Sequence, residues 1–142
     1  MYLLDTNLVS ELRKASAGKA DPGVAAWQAG VRQVDCFISV ITLMELEIGI
    51  LRLARRDQAQ AALLQAWLDT RVIGVFASRI LPVDEVVARR CARLHVPDPR
   101  SERDALIAAT AMVHGLTVVT RNTSDFEATG VALLNPWQTT DL

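Results

Sequence analysis

Five short apolar runs, separated by longer segments with helical spacing, constrain the fold of this sequence most. The runs cover residues 2–4, 36–40, 80–83, 116–120 and 131–134. Runs this short and this apolar are typical of parallel strands that are buried on both faces. A pair of helical segments follows each of the first three runs, and helices of this kind connect parallel strands. We therefore expect an α/β three-layer sandwich, with a short parallel sheet flanked by helices on both faces.

Helix-end residues support this order of elements. Pro22 suits the first turn of a helix, Asp84 and Ser101 suit N-caps, and Gly115 suits a C-terminal stop. The predicted helices cover about residues 8–12, 22–33, 42–56, 58–78, 84–94 and 101–114.

The composition favours one globular domain over residues 1–142. Hydrophobic residues make up 51% and charged residues 22% of the chain, so it can bury a core without disulfides. The net charge of −1 argues against nucleic-acid binding through bulk charge, although a local basic rim stays possible. No apolar run is long enough for a membrane span, and the first residues do not resemble a signal peptide. We expect a cytoplasmic protein without a membrane partner.

The cysteines and histidines do not form a metal-binding pattern. Cys36 and Cys91 are far apart and belong to no Cys-x-x-Cys motif, so we expect buried free thiols. His95 and His114 lack cysteine partners at the spacing of a zinc site.

Four acidic residues fall where a site is expected in such a sheet. Ligands of open α/β sheets bind beyond the carboxyl ends of the strands. Asp5 directly follows the first strand, and Asp125 lies in the loop after the strand that ends at Thr120. Glu45 and Asp104 lie in what we expect to be the first turns of helices that begin near the same edge.

A structural role is the alternative for two of these residues. Glu45 follows Thr42 in a capping-box pattern, and Asp104 follows Ser101 in another. However, residues 41–53 are apolar on nearly every side, which predicts a buried helix, and a buried carboxylate needs a cation or strong donors. Gly49, one turn after Glu45, leaves room for a close approach. Asp104 shares its helix face with residues 107, 108 and 111, whereas Glu102 should face solvent.

Carboxylates that converge on one edge repel each other and raise each other's pKa. A hard divalent cation such as Mg²⁺ or Mn²⁺ removes this repulsion, and no lysine or histidine in the motifs is placed to do so. Such a cation can activate water for phosphodiester hydrolysis. Neither histidine lies near a candidate nucleophile, which argues against a serine or cysteine hydrolase. The residues therefore predict a metal-dependent phosphodiesterase.

The motifs together resemble those of VapC-type PIN-domain toxins. The resemblance runs through the whole chain, in order and spacing, at residues 4–7, 38–45, 104–111, 119–126 and 134–137. It implies a Mg²⁺- or Mn²⁺-dependent endoribonuclease that forms homodimers and is inhibited by a cognate antitoxin.

The resemblance also implies roles for single residues. Asp5, Glu45 and Asp104 match the three core acidic positions of the family, and Asp125 matches a fourth, less uniform position. Polar positions around the family site are matched by Thr6, Asn7, Thr120 and Asn122. Residues 55–78 contain no motif that maps onto the family.

Several basic and aromatic residues could also contact RNA. Arg121 lies between a strand end and Asp125, which would place it near a scissile phosphate. The three tryptophans are expected to be core or interface residues rather than base-stacking platforms. Six other arginines could line an RNA path, but such runs are more often solvated helix faces; they are Arg52, Arg55, Arg56, Arg89, Arg90 and Arg93.

Three other functions fit the sequence less well. A haloacid-dehalogenase-like phosphatase would need a second aspartate at position 7, where this chain has Asn7. A dinucleotide-binding domain would need a Gly-x-Gly-x-x-Gly motif after the first strand, and none is present. An inactive binding module would be expected to have lost one of the acidic positions, but all four are present.

Overall fold

The computed structural model describes residues 1–137, which form a five-stranded parallel sheet. The strand order is β3-β2-β1-β4-β5, so the first strand lies in the centre. All four pairings are parallel. The strands are β1 (Tyr2–Leu4), β2 (Cys36–Ser39), β3 (Ile80–Leu81), β4 (Thr117–Val119) and β5 (Leu133–Leu134).

Pairs of helices connect the first four strands, in the order that the sequence predicts. They are α1 (Thr6–Leu12), α2 (Pro22–Gly30), α3 (Val40–Ala54), α4 (Gln58–Trp67), α5 (Glu85–Leu94) and α6 (Glu102–His114). The predicted α/β sandwich is confirmed. The predicted domain end at residue 142 lies outside the described residues.

The alternation of side chains along the central strands creates a core on each face of the sheet. Leu4 and Val119 pack on one face, in the cluster that contains Leu8 of α1 and Leu68. Leu3 and Val118 pack on the other, with Ile107 and Ala108 of α6 and Phe126. Successive residues of a strand point to opposite faces, so three-residue strands can serve two layers.

Several helix boundaries differ from those predicted. α2 ends at Gly30 rather than near residue 33, and residues Gln33–Asp35 form a separate 3₁₀ turn. α3 begins at Val40, two residues before the predicted start, because the hydroxyl of Ser39 accepts a hydrogen bond of 3.0 Å from the backbone N–H of Ile41. This earlier start changes the position of Glu45 in the helix.

The segment after α4 is a π-helix rather than the continuous α-helix expected to residue 78. Residues Leu68–Ile73 have this wider winding, and the N–H of Gly74 donates to the carbonyl of Asp69, five residues before it. A Cβ atom at Gly74 would lie 2.5 Å from the carbonyl oxygen of Thr70. The tight turn at the end of this segment therefore requires glycine.

Both cysteines are buried free thiols, as predicted. Within residues 1–137, no helix combines the length and apolar character that a membrane crossing requires.

Candidate active site

Asp5 stands directly after β1, at the carboxyl-terminal edge of the sheet. It is the N-cap of α1, and only 6% of its surface is exposed. Its Oδ1 accepts a hydrogen bond of 2.8 Å from the backbone N–H of Thr6. Its Oδ2 accepts a bond of 2.7 Å from the hydroxyl of Thr120 and one of 3.4 Å from the amide of Asn7. Asp5 is therefore held in one orientation by neutral donors.

The same polar contacts tie together the ends of β1 and β4. The side-chain amide of Asn7 also donates to Thr120 Oγ1 at 3.2 Å, and its oxygen accepts from the backbone N–H of Arg121 at 3.3 Å. The N–H of Asn122 donates to Thr120 Oγ1 at 3.0 Å. Of the five residues predicted to support the site, Thr6, Asn7 and Thr120 hydrogen-bond Asp5, whereas the other two contact Asn7 and Thr120 through their backbone N–H groups; they are Arg121 and Asn122.

Glu45 is not a capping residue. α3 begins at Val40 with Ser39 as its N-cap, so Glu45 lies in the second turn and the predicted capping box with Thr42 is wrong. Instead, Glu45 Oε1 accepts a hydrogen bond of 2.7 Å from the hydroxyl of Thr6. The hydroxyl of Thr42 lies 3.3 Å from the same Thr6 oxygen. Thr6 therefore links Glu45 to the residue that follows Asp5.

The expected burial of α3 is also wrong. Met44 is 40% exposed and Leu51 is 61% exposed, because only one side of the helix packs on the sheet. The side chain of Glu45 is 26% exposed. Gly49 is exposed, with nothing within 4 Å of where its Cβ would lie. The placement of Glu45 in the site thus rests on its contact with Thr6, not on a buried helix.

Asp104 occupies the first turn of α6, and its predicted inward face is confirmed. Ile107, Ala108 and Ala111 are fully buried, whereas Glu102 is exposed. Ser101 is the N-cap, but its hydroxyl caps no backbone N–H, so the predicted capping box is not formed here either. Asp104 itself is half-buried at the carboxyl-terminal edge.

The four carboxylates form one electrostatic cluster. Burial raises the pKa of Asp5, the hydrogen bonds from Thr120 and Thr6 oppose this, and the charges of Glu45 and Asp125 add to the rise. Burial is also the main cause of the raised pKa of Asp104, followed by the charges of Asp5, Asp125 and Glu45. We refer to Asp5, Glu45, Asp104 and Asp125 below as the acidic cluster.

Asp125 is the outermost member of the acidic cluster. It ends a 3₁₀ turn, Thr123–Asp125, in the loop after β4, and it is exposed to solvent. Its side chain makes no hydrogen bond within the described residues, so it interacts with the cluster through charge alone.

Arg103 is the residue at this site that the sequence analysis missed. Its Nη1 lies 3.6 Å from Glu45 Oε2. The search for a neutralising residue considered lysine and histidine in the motifs, whereas an arginine just before Asp104 is the cation in contact. No local pattern predicts the contact, because Glu45 and Arg103 meet only when α3 and α6 pack together.

The donor chemistry of the acidic cluster fits a hydrated hard cation. Neither Asp5 nor Asp104 forms an ion pair within the described part of the chain, so their charges are uncompensated. Within residues 1–137, no three acidic, histidine or cysteine side chains are close enough to hold one ion together. Mg²⁺ is commonly bound by one or two carboxylates and keeps several waters, which is compatible with this spacing.

Comparisons with known proteins agree with this geometry. The family model described as PIN domain matches residues 2–131. The chain belongs to the PIN-domain family. The predicted resemblance is therefore confirmed, and the phosphatase and dinucleotide-binding alternatives are wrong.

Two relatives and two solved structures show how far the similarity of this PIN domain extends. The VapC ribonuclease Y4jK of Sinorhizobium fredii is 37% identical, over 97% of this chain and 99% of the relative. The toxin FitB of Neisseria gonorrhoeae is 38% identical, over 96% and 99%. The crystal structure of FitAcB from that organism gives a TM-score of 0.87, at 36% identity, over 98% of this chain and 100% of that one. A toxin-antitoxin complex from Klebsiella pneumoniae gives 0.65, at 26% identity, over 98% and 100%.

Proposed function

We propose that this PIN domain is a metal-dependent endoribonuclease and acts as the toxin of a toxin–antitoxin pair. The acidic cluster at the carboxyl-terminal edge of the sheet is the observation that carries the proposal. The ribonuclease and toxin relatives, which match over nearly the whole chain, support a nuclease of this type.

Mg²⁺ or Mn²⁺ is the proposed cofactor, because uncompensated carboxylates favour a hard divalent cation. One or two of the carboxylates of Asp5, Glu45 and Asp104 would bind the ion directly, and the others, with the exposed Asp125, would act through bound waters. Such an ion lowers the pKa of a bound water and polarises a phosphoryl oxygen.

In this proposal, the polar residues around the acidic cluster orient the carboxylates of Asp5 and Glu45. Thr120 and Asn7 fix Asp5 Oδ2, and Thr6 fixes both Asp5 Oδ1 and Glu45 Oε1. A carboxylate that is already oriented loses little conformational entropy when it takes up its ligand. Arg121 is exposed, with its guanidinium 5.7 Å from the ring centre of Trp137, and would contact RNA from the rim.

A recess with a mixed apolar and basic wall, which includes Arg13 and Arg71, is the proposed docking site for the antitoxin. It has a volume of about 560 Å³ and lies between α1, α2 and the segment after α4. Its wall includes Leu12, Trp27, Trp67 and Phe76. Large apolar side chains in a recess are typical of sites that take an apolar helix or strap from a partner protein. In this proposal, the part of the segment 55–78 that lines the recess, residues 67–76, would contribute to antitoxin binding.

The assembly and location belong to the proposal as well. We propose a homodimer, since α3 presents an apolar stripe in which Met44 and Leu51 are exposed and Ile48 is half-buried. We also propose a single domain over residues 1–142 that acts on RNA in the cytoplasm.

Cleavage of single-stranded RNA by the purified chain tests the nuclease proposal. We expect cleavage with Mg²⁺ or Mn²⁺ and none in EDTA. Asp5→Asn and Asp104→Asn should reduce cleavage to the background level while the circular dichroism spectrum stays unchanged. Glu102→Gln is the matched control, because it removes an exposed charge two residues from Asp104 and should keep full activity. Equal cleavage in EDTA, or by both asparagine variants, would show that the acidic cluster is not the active site.

Expression in a bacterial host tests the toxin proposal separately. We expect growth arrest with the wild-type chain and normal growth with Asp5→Asn at the same protein level. Normal growth with abundant, RNA-cleaving wild-type protein would contradict the toxin role and leave the nuclease proposal intact.

A further inference from the structure

Arg103 is the cation that touches the acidic cluster. It lies in the first turn of α6, and its Nη1 is 3.6 Å from Glu45 Oε2. The side chain of Arg103 is 48% exposed and that of Glu45 is 26% exposed. The other two ion pairs within the described residues join neighbours on the same turn, whereas this pair joins α3 to α6.

Stability does not explain an arginine at this position. The first turn of a helix is the positive end of its dipole, so a cation there is unfavourable. An ion pair this exposed contributes little to folding, because water screens it and two long side chains must be ordered. Arg103 therefore opposes the dipole of α6, and its ion pair with Glu45 adds little stability. Binding of a ligand explains an arginine at this position better than folding does.

Most N–H donors of the Arg103 guanidinium have no hydrogen-bond partner within residues 1–137. An arginine side chain carries five N–H donors in a fixed plane. Within residues 1–137, the contact with Glu45 is the one polar contact of the Arg103 side chain, and it uses one nitrogen at a long distance. The remaining donors, on a side chain that is 48% exposed beside Glu45, can form paired hydrogen bonds with phosphate oxygens.

An anionic substrate also needs such a residue. The acidic cluster repels a phosphodiester, and a bound cation offsets only part of that charge. The guanidinium of the exposed Arg121 lies over the ring of Trp137 and lowers the pKa of Glu11, after the larger effects of the Asp21 backbone and Lys14. Arg103 is placed directly against a cluster member.

We propose that Arg103 binds a phosphate of the RNA substrate, and that Glu45 holds its guanidinium at the site until the RNA arrives. The inference rests on the proposed ribonuclease activity. Because the exposed ion pair is weak, a phosphate can replace Glu45 at little cost. The contact would form with the bound RNA and persist in the transition state, so its loss should change KM rather than kcat.

Two substitutions at Arg103 test the proposal against a matched control. Arg103→Met removes the charge and keeps the length, and Arg103→Lys keeps the charge but loses the planar fork. Arg32→Met is the control, since Arg32 also forms an exposed ion pair, with Asp35 at 3.5 Å, but precedes β2 at the opposite edge of the sheet. Thermal melting of each variant checks that the fold is retained.

Steady-state cleavage of a fluorescently labelled single-stranded RNA is the first measurement. We expect Arg103→Met to raise KM by about 10- to 100-fold with little change in kcat. Arg103→Lys should give a smaller rise, and Arg32→Met should match the wild type. A KM for Arg103→Met equal to that of Arg32→Met would overturn the proposal. A lower kcat at constant KM would also overturn it, since it would mean that Arg103 acts by orienting Glu45.

Binding of the same RNA in EDTA, followed by fluorescence anisotropy, is the second measurement. Loss of one phosphate contact should make the plot of log affinity against log salt concentration shallower by about 0.7 for a single strand. An unchanged slope for Arg103→Met would overturn the inference. This titration needs no catalysis, so it still decides the role of Arg103 if the wild-type chain cleaves no RNA and the proposed function fails.

Discussion

Asp5 combines two opposing effects on a single carboxylate. Burial disfavours its charged form and raises its pKa, while hydrogen bonds from Thr120 and Thr6 favour the charged form and lower it. The rise is the larger effect. Neutral hydrogen-bond donors therefore keep Asp5 oriented without cancelling its charge, which leaves that charge for a cation.

The pH dependence of folding follows from this raised pKa. In the pH range between the usual value of 3.8 and the raised value, the folded chain binds a proton at Asp5 more readily than the unfolded chain. Ionisation of Asp5 therefore lowers stability above the raised pKa, and this loss is relieved as the pH falls through it. Asparagine at this position does not titrate. We expect the stability advantage of Asp5→Asn over the wild type, measured in EDTA, to shrink as the pH falls from 7 to about 4.

Urea unfolding of both proteins across this pH range measures the difference. The titration of groups remote from Asp5 cancels in the comparison, whereas Asp104, whose pKa the charge of Asp5 raises, adds to the same trend. Added Mn²⁺ at pH 7 should stabilise the wild type and have much less effect on Asp5→Asn. A constant difference at every pH would show that Asp5 titrates alike in the folded and unfolded chains.

Single residues also show the limit of prediction from the sequence. Asp5 and Asp104 were predicted from a strand end and a helix face, which are local features. Arg103 was not, because its contact with Glu45 depends on the packing of two helices that are distant in the chain. Local patterns locate a residue on its element, but they do not show what a neighbouring element brings to it.

At the scale of elements, the sequence predicted the order but not every boundary. Five apolar runs became the five strands, since alternating burial needs only three residues to serve both cores. The start of α3 was wrong because two capping patterns compete there. Ser39 lies within an apolar run that is typical of a strand, so the capping-box pattern from Thr42 to Glu45 predicted the helix start. In the structure, Ser39 is the N-cap of α3.

The cap at Ser39 should be measurable. Ser39 is fully buried, and its hydroxyl accepts from the N–H of Ile41 at 3.0 Å. We expect Ser39→Ala to lower the free energy of unfolding by about 1 kcal/mol, because that N–H loses its partner. Ser101→Ala is the control, since the Ser101 hydroxyl caps no backbone N–H in α6. Urea denaturation should give a smaller loss for Ser101→Ala, and equal losses would contradict the assigned caps.

At the scale of the whole molecule, the two faces of α3 have different roles. One face packs on the sheet and carries Glu45 to the site, while the opposite face leaves Met44 and Leu51 exposed. The sequence could not separate the two faces, because apolar residues occupy both. A helix that is apolar on nearly every side is predicted to be buried, but the partner that buries it need not be in the same chain.

The exposed face of α3 predicts which substitution will prevent dimerisation. If the stripe of Met44, Ile48 and Leu51 is the dimer interface, a charge at its most exposed member must be buried without a partner, which strongly disfavours association. We expect the wild-type chain to elute with the mass of two chains in size-exclusion chromatography with light scattering, and Leu51→Glu with the mass of one.

Val34→Glu is the matched control, because Val34 is 57% exposed, close to the 61% of Leu51, but lies in the turn before β2. Val34→Glu should remain dimeric. Dimers of Leu51→Glu at the same concentration would show that the chains associate through another surface, and a monomeric wild type would contradict the proposed homodimer.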